Sequence, residues 1–596
     1  MTDAIRHRGP EGDGFWINES GTAGFGHRRL SIMDISAHAA QPMHLSNRYT
    51  IVFNGAIYNY PELREQLIRK GYQFHTETDT EVILAAYDHY RENCLSHFEG
   101  MFAFAIHDAS DHRLFCARDR FGEKPLYYNY RQETGDFVFG SEIKAIRAAG
   151  ISTAINDALL LQYLACGHTS HLTDKQSTFY TNIKQLPAAH YLIYELTSGI
   201  FEICKYWSLP NDKSTISEGI DIDARFHSLF TTSVSRRLRA QVPYGTSLSG
   251  GLDSSSIVAA ISSSNTGRSL ASFSAVFPGF DRDESTYIQT VAKQFSLDAV
   301  YTTPSSTDFE NEITGVIQMQ EEPVSSASVF AQYKVFELAK QQNVTVLLDG
   351  QGADELLAGY SKYHNWFIQE LVRHGNFGKA FSESKLLHKN AGNDISIPVN
   401  FLASINPILV ASLLEKRERK KLISNEDITR EFAMTFAPQA KISKPVIRNL
   451  NDTLASDMLG YGLEDLLRYA DRNAMAHGRE TRLPFLDHSL VEFCFSLPSQ
   501  FKISRGWTKF ILRKWADNKL PNDIVWRKNK IAFEPPQNSW LNKPRSITLI
   551  NNAIEELIAQ KILKPSSLIK KNQPLSEAAD KRYWRYLVTG TLIQMR

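Results

Sequence analysis

The sequence predicts two domains of mixed class: a strand-rich α+β unit over residues 1–210 and a parallel α/β unit over residues 211–596. Three observations carry this. A chain of 596 residues exceeds what one ordinary core serves. The polar stretch Asn211-Asp212-Lys213-Ser214-Thr215-Ile216-Ser217-Glu218-Gly219 has the composition of a linker. Before it, short apolar runs dominate; after it, such runs alternate with long helical stretches, the pattern of a parallel sheet.

The elements follow in order. Leu30-Ser31-Ile32-Met33-Asp34-Ile35 alternates in part and reads as strand-like. Thr50-Ile51-Val52-Phe53 and Ala56-Ile57-Tyr58 read as two strands around a tight Asn54-Gly55 turn. A helix begins at Pro61, where proline suits the first turn and Leu63, Leu67 and Ile68 share a face. Asp79 suits the cap of another helix through Val82–Tyr87. Met101–Ile106 and Phe137–Gly140 are further strands. Past the linker, Ser269–Phe277 and Val344–Leu348 read as strands, and helix dominates from about Ser382.

Composition restricts the partners. With 42% hydrophobic and 22% charged residues the chain is globular. Sixty-six Lys+Arg balance 65 Asp+Glu, so bulk charge points to neither a nucleic acid nor a membrane partner. The five cysteines, Cys94, Cys116, Cys166, Cys204 and Cys494, form no C-x-x-C pair, which argues against a zinc ribbon or a disulfide scaffold. No apolar run reaches the roughly 18–20 residues of a membrane span, and the N-terminus lacks a signal peptide's apolar stretch, so the expected location is cytoplasmic.

The richest stretch is Val242 to Ala260, which reads strand, then Leu248-Ser249-Gly250-Gly251-Leu252-Asp253-Ser254-Ser255, then helix. Two glycines let successive N–H groups converge on one anion, and the helix N-terminus adds partial positive charge. Ser249, Ser254 and Ser255 supply hydroxyls. Asp253 beside a phosphate requires a cation between them, and Mg²⁺ takes carboxylate and phosphate oxygens together. No lysine follows the glycines, so this is not a P-loop, and G-x-G-x-x-G is absent there.

The loop resembles the pyrophosphate loop of the ATP pyrophosphatase superfamily. A second strand-to-turn unit, Leu347-Leu348-Asp349-Gly350-Gln351-Gly352-Ala353-Asp354-Glu355, brings Asp354, which would face Asp253 and complete a magnesium site. With Arg472-Asn473-Ala474-Met475, Glu480 to Asp487 and Lys530-Ile531-Ala532-Phe533, the chain resembles the glutamine-hydrolysing asparagine synthetase family over nearly its whole length. The resemblance implies an N-terminal αββα glutaminase domain of the Ntn-hydrolase class, an ammonia tunnel, and a C-terminal adenine-nucleotide α-hydrolase-like synthetase domain. There, ATP and Mg²⁺ would convert aspartate to β-aspartyl-AMP, from which ammonia displaces AMP. Asp253 and Asp354 would hold the metal. Leu248, Ser249, Gly250, Gly251, Asp253, Ser254, Ser255, Val276, Asp349 and Gly350 would bind ATP. Lys530 would stabilise the α-phosphate region as a point charge. Arg29 would grip the carboxylate of glutamine, Asn54 and Gly55 its oxyanion, and Asp79 its α-amino group. The implied partners are the small molecules aspartate, glutamine or ammonia, with no nucleic acid, no membrane, and a possible homodimer.

Two departures stand out. Gln351 replaces the glutamate of many members and cannot act as a base, which leaves the proton acceptor unassigned and the acceptor substrate open. The family nucleophile is a cysteine directly after the initiator methionine, whereas Met1 here precedes Thr2-Asp3. On that reading the chain lacks its first strand and its nucleophile, through a mis-called start codon or a true loss. An exposed sheet edge would follow, and so would an enzyme fed by free ammonia. Competing readings are an amidotransferase for another carboxylate such as a polysaccharide sugar acid, a lactam-forming enzyme, a catalytically impaired regulatory homologue, and an RNA-modifying relative. Balanced charge disfavours the last.

Overall fold

The computed structural model describes residues 1–210, 220–263, 269–392, 395, 397–528, 533–570 and 574–595. The expected linker 211–219 and Lys530 lie outside the described residues.

The N-terminal strands are β1 (Gly12–Ile17), β2 (Gly24–Arg29), β3 (Met43–Leu45), β4 (Tyr49–Ile57), β5 (Gly100–Asp108), β6 (Arg113–Arg118), β7 (Tyr127–Arg131), β8 (Asp136–Gly140), β9 (Lys184–Gln185), β10 (His190–Glu195) and β11 (Phe201–Lys205). Six form an antiparallel sheet in the order β11-β10-β6-β5-β4-β3. Helices α1 (Tyr60–Ile68) and α2 (Asp79–Tyr90) cover one face, with Leu63, Leu67, Val82 and Ile83 packed on Ile51, Phe53, Phe102 and Phe104. The other face, through Val52, Ala103, Ala105 and Leu114, meets Phe25, Phe137 and Phe139 of the β1-β2 and β8-β7-β9 sheets, with Leu126 just before β7. The helix Ile143–Arg147 lies against β7 and β8, which completes the αββα order.

Several readings change. Asn54-Gly55 is no turn: β4 runs unbroken through it, pairing Asn54 with Ala103 and Gly55 with Phe102. Gly55 takes φ +142, and a Cβ there would lie 2.0 Å from the Met101 carbonyl oxygen. The glycine is there for close strand approach, a role that the hairpin signature imitates. Leu30–Ile35 belongs to no strand; β2 ends at Arg29, just before it. The cap of α2 is Thr78, whose side chain accepts from Thr80 N–H, while Asp79 is the first helical residue.

In the C-terminal half, α3 (Ile222–Arg237) leads to β12 (Tyr244–Ser247), α4 (Leu252–Ser263), β13 (Ala271–Ala275), β14 (Asp298–Thr302), β15 (Val346–Leu348), α5 (Ala353–Leu357), α6 (Leu463–Ala476) and β16 (Glu480–Arg482), with further helices between and after. The five strands pair in parallel in the order β14-β13-β12-β15-β16. The sequence reading missed β16 as a strand, because three residues, Glu480-Thr481-Arg482, carry no apolar run. They are nevertheless buried, with the Arg482 guanidinium donating to Glu480 and to the Arg237 and Arg239 carbonyls. Apolar cores cross between the halves: Ile32, Met33 and Phe121 pack with Phe230, Leu348 and Leu486.

Candidate functional site

β12 and β15 are hydrogen-bonded neighbours, with Gly245 opposite Leu347 and Thr246 opposite Leu348. Their following turns therefore emerge side by side at the C-terminal edge of a parallel sheet, where α/β proteins place ligands. In the first turn Gly250 takes φ +70, and a Cβ there would lie 2.8 Å from both the Ile288 nitrogen and Tyr287 Cβ. Ser249 Oγ and Ser254 Oγ lie 3.1 Å apart, and Gly251 N–H donates to Ser249 Oγ at 3.3 Å. Ser255 Oγ and Asp253 Oδ1 are buried without a hydrogen-bond partner among the described residues. Leu248 and Val276 are buried where β12 and β13 end, with Leu248 N–H donating to the Phe273 carbonyl.

Gly350 lets the second turn touch the first, since a Cβ there would sit 3.0 Å from Asp253 Cβ. Asp349 is enclosed; burial pushes its carboxyl up to about 6 against the pull of the Gly350 and Gln351 N–H groups. Gln351 Oε1 is buried without a partner among the described residues.

Asp253 and Asp354 meet on one cation. Lys509 Nζ donates to Asp253 Oδ2 and lies 2.7 Å from Asp354 Oδ1. Lys509 is buried at a left-handed backbone position, φ +52. Burial alone would lower its pKa, but the two carboxylates outweigh burial and raise it. Gly359 gives the group room: a Cβ there would fall 1.7 Å from Asp354 Oδ1 and 2.3 Å from Lys509 Cε. Arg513, one turn beyond Lys509, lies over the Trp507 ring at 4.8 Å, and burial lowers its pKa to about 10 against the attraction of Asp253. The sequence reading missed Lys509 and Arg513, whose surrounding sequence carries no glycine-rich or paired-acid signature.

The pair suits magnesium. This ion is commonly held by one or two carboxylates with phosphate and water oxygens completing the shell. Asp253 Oδ1 is a buried oxygen with no hydrogen-bond partner among the described residues, and an ammonium already bridges the two side chains. Among the described residues no group of three His, Cys, Asp or Glu side chains could hold a metal alone.

Lys530 itself is outside the described residues; of its flanks, Arg527 is tethered beside the first turn. Arg527 lies 3.7 Å from the centre of the Tyr287 ring and pairs with Glu284 at 2.8 Å. Beyond it, the Phe533 carbonyl accepts from Ser328 Oγ at 2.8 Å.

A second site lies in the N-terminal half. Arg29, Asn54, Gly55 and Asp79 all line one cavity of about 570 Å³. Arg29 is oriented by donation to the Asp34 and Ser36 carbonyls at 2.8 and 2.7 Å. Asn54 Nδ2 is buried without a partner among the described residues. Asp79 Oδ2 accepts from Ile57 N–H at 2.8 Å, and burial pushes its pKa up to about 6. His27 also lines the cavity, and burial lowers its pKa to about 4. Met1 and Thr2 line the same cavity, and none of the five cysteines does.

Comparison with known proteins gives matches over both halves of the chain. Residues 225–588 match the asparagine synthase family and residues 1–207 the glutamine amidotransferase domain. Asparagine synthetase [glutamine-hydrolyzing] 1 of Bacillus subtilis is 31% identical, covering 93% of this chain and 86% of that protein. A putative asparagine synthetase [glutamine-hydrolyzing] 2 of Methanocaldococcus jannaschii is 34% identical over 63% of this chain and 74% of its own length. Amidase chry2 of Gibberella zeae is 25% identical over 94% of this chain and 87% of its own.

Proposed function

Because the chain belongs to the asparagine synthase family, as a carbon–nitrogen ligase drawing its amide nitrogen from glutamine, we propose that its acceptor is L-aspartate and that it makes L-asparagine through β-aspartyl-AMP. Members of the family use ATP. The observation that carries the reading is the meeting of Asp253 and Asp354 at the tips of two adjacent parallel strands.

A carboxylate is a poor acyl donor, because oxide is a poor leaving group. Attack of a carboxylate oxygen on the α-phosphorus expels pyrophosphate and gives a mixed anhydride. Ammonia then attacks the acyl carbon, AMP leaves with the bridging oxygen, and the nitrogen sheds a proton. The Ser249–Ser255 turn offers hydroxyls and N–H groups to the departing pyrophosphate, with Lys509 and Arg513 as fixed positive charge. Asp253 and Asp354 would hold Mg²⁺, which when bound neutralises phosphate charge. Leu248, Val276 and Gly350 would border adenine and ribose, and Lys530 the α-phosphate. In the other half, Arg29 and Asp79 would bind the two ends of glutamine, and Asn54 Nδ2 with the Gly55 N–H its oxyanion.

The deciding assay supplies ATP and magnesium with ammonia or glutamine as alternative donors. It measures AMP and pyrophosphate release with aspartate. Aspartate labelled with ¹⁸O in its side chain is expected to pass one label to AMP. Nucleotide release dependent on another carboxylic acid, with none on aspartate, would refute the acceptor assignment. Gln351 and the fungal amidase relative favour that second reading, an amide ligase for a different carboxylate.

A further inference from the structure

Three helices, Phe377–Ala391, Ile397–Ile405 and Pro407–Ser424, form a layer with an apolar outer surface. Leu402, Ile405 and Ile408 are 68%, 64% and 64% exposed, and Leu409 and Leu413 are also exposed. The first two helices share this surface, since the Phe377 and Phe401 rings lie 6.2 Å apart. Soluble monomers rarely leave so many large apolar side chains together in water.

The last helix is two-faced. Ala411 and Leu422 are buried, and Glu418, on the same stripe, faces His168 at 3.2 Å and Lys444 at 2.8 Å. The opposite stripe, at spacings of four, three and four, is Leu409, Leu413, Lys416 and Lys420, all turned outward. One face thus passes from apolar to basic within about 10 Å of helix. Residues 377–424 carry eight Lys and Arg against four Asp and Glu, a local +4 in a chain of net +1. Of those acids Glu383 is buried, accepting from the Arg505 and Gly506 N–H groups, and Glu415 pairs with Arg419. Lys385 stands 4.3 Å from the centre of the Phe381 ring, repeating the basic-beside-apolar arrangement on the first helix.

We propose that this face docks on an anionic lipid bilayer, the apolar side chains entering the interface and the lysines and arginines meeting the head groups. Apolar anchors flanked by basic residues are what interfacial helices use. No helix among the described residues is long and apolar enough to cross a membrane, so the contact would be peripheral. A second copy of the chain fits less well, because an apolar contact between copies would leave the adjacent lysines and arginines without an anionic partner. Whole-chain charge balance conceals the patch, which is why the sequence suggested no membrane partner.

The test is co-sedimentation of the full chain with vesicles of phosphatidylglycerol and phosphatidylcholine, against phosphatidylcholine alone, with gel filtration in parallel. Binding is expected only to the anionic vesicles and is expected to weaken with salt. Leu409→Ser/Leu413→Ser and Lys416→Gln/Lys420→Gln are each expected to weaken it roughly tenfold or more while ATP-dependent turnover persists. No pelleting with anionic vesicles, or pelleting that both variants retain, overturns the proposal. So does self-association abolished by the leucine variant without vesicle binding.

Discussion

At the scale of single residues, Lys509 is where charge is most finely balanced. Its ammonium is buried between two carboxylates, so Lys509→Met leaves both without their cation. Stability is expected to fall by about 3 kcal/mol, with millimolar magnesium returning part of it if the carboxylates hold the metal. Urea unfolding with and without magnesium reads this directly, and a variant indifferent to the ion would count against the metal assignment. Asp79 supplies the pH dependence. Burial places its pKa at about 6 when folded, above its ordinary 3.8. The folded state therefore holds a proton that the unfolded state has lost between those values, and stability declines as pH rises through that window. Asp79→Asn cannot ionise, so it should be the more stable protein above pH 6, by up to about 3 kcal/mol, with the advantage gone below pH 4. Glutamine binding should weaken at the same time if Asp79 holds the substrate amine; unfolding curves at pH 4 and 7.5 and a binding titration check the two halves. Asp253 and Asp354 were legible because short turns with glycines advertise themselves. Lys509 was not, since a lysine 155 residues beyond Asp354 becomes informative only when folding brings it there.

At the scale of elements, the strand-to-turn-to-helix units were easy to read, because glycine turns follow β12 and β15, and β15 is itself an apolar run. The failures have one physical source: local signatures report conformations that several contexts share. Asn54-Gly55 satisfies a hairpin, yet a paired strand also accepts it when a neighbouring carbonyl needs the space of a missing side chain. Gly55→Ala should therefore cost about 3 kcal/mol, from positive φ together with collision at Met101. Gly71→Ala is the control. Gly71 also has a positive φ, +98, but a Cβ there would meet nothing within 4 Å, so only about 1 kcal/mol is expected. Equal losses of thermal stability in the two variants would show that backbone strain, not strand approach, fixes Gly55. β16 failed in the opposite way: its three polar residues are strand because Arg482 and Glu480 satisfy each other inside the protein.

At the scale of the whole molecule, the two halves are joined by buried charge that no local pattern announces. Arg8 donates to Asp471 at 2.8 and 3.1 Å and to Glu142 at 2.9 Å. Arg472, on α6, lies 3.1 Å from Glu142 and 3.0 Å from Glu321, and Lys124 stands 3.5 Å from Asp471. These partners are separated by up to 463 residues in sequence, so the Arg472-Asn473-Ala474-Met475 motif signalled kinship without revealing its task. The cluster holds Glu142 well below the usual carboxylate range despite burial, with Arg472 the strongest opposing charge, then His7 and Arg8. Glu321 is less well supplied: burial raises its pKa even with Arg472 beside it. Arg472→Met should therefore strand Glu321 more than Glu142, which keeps Arg8 and Lys144. The expected cost is about 3–5 kcal/mol, and the two halves should begin to unfold in separate transitions. Adding Glu321→Gln removes the stranded charge and keeps one acceptor oxygen, so of the Ile143 and Lys144 N–H groups, which now donate to separate Glu321 oxygens, one keeps its partner. The double variant should then recover part of the loss, as a buried pair does when both charges go together, less the cost of the one N–H left without an acceptor. Calorimetry of the wild type, both single variants and the double variant closes the cycle, and a double variant no more stable than Arg472→Met would mean that packing, not charge, couples the halves.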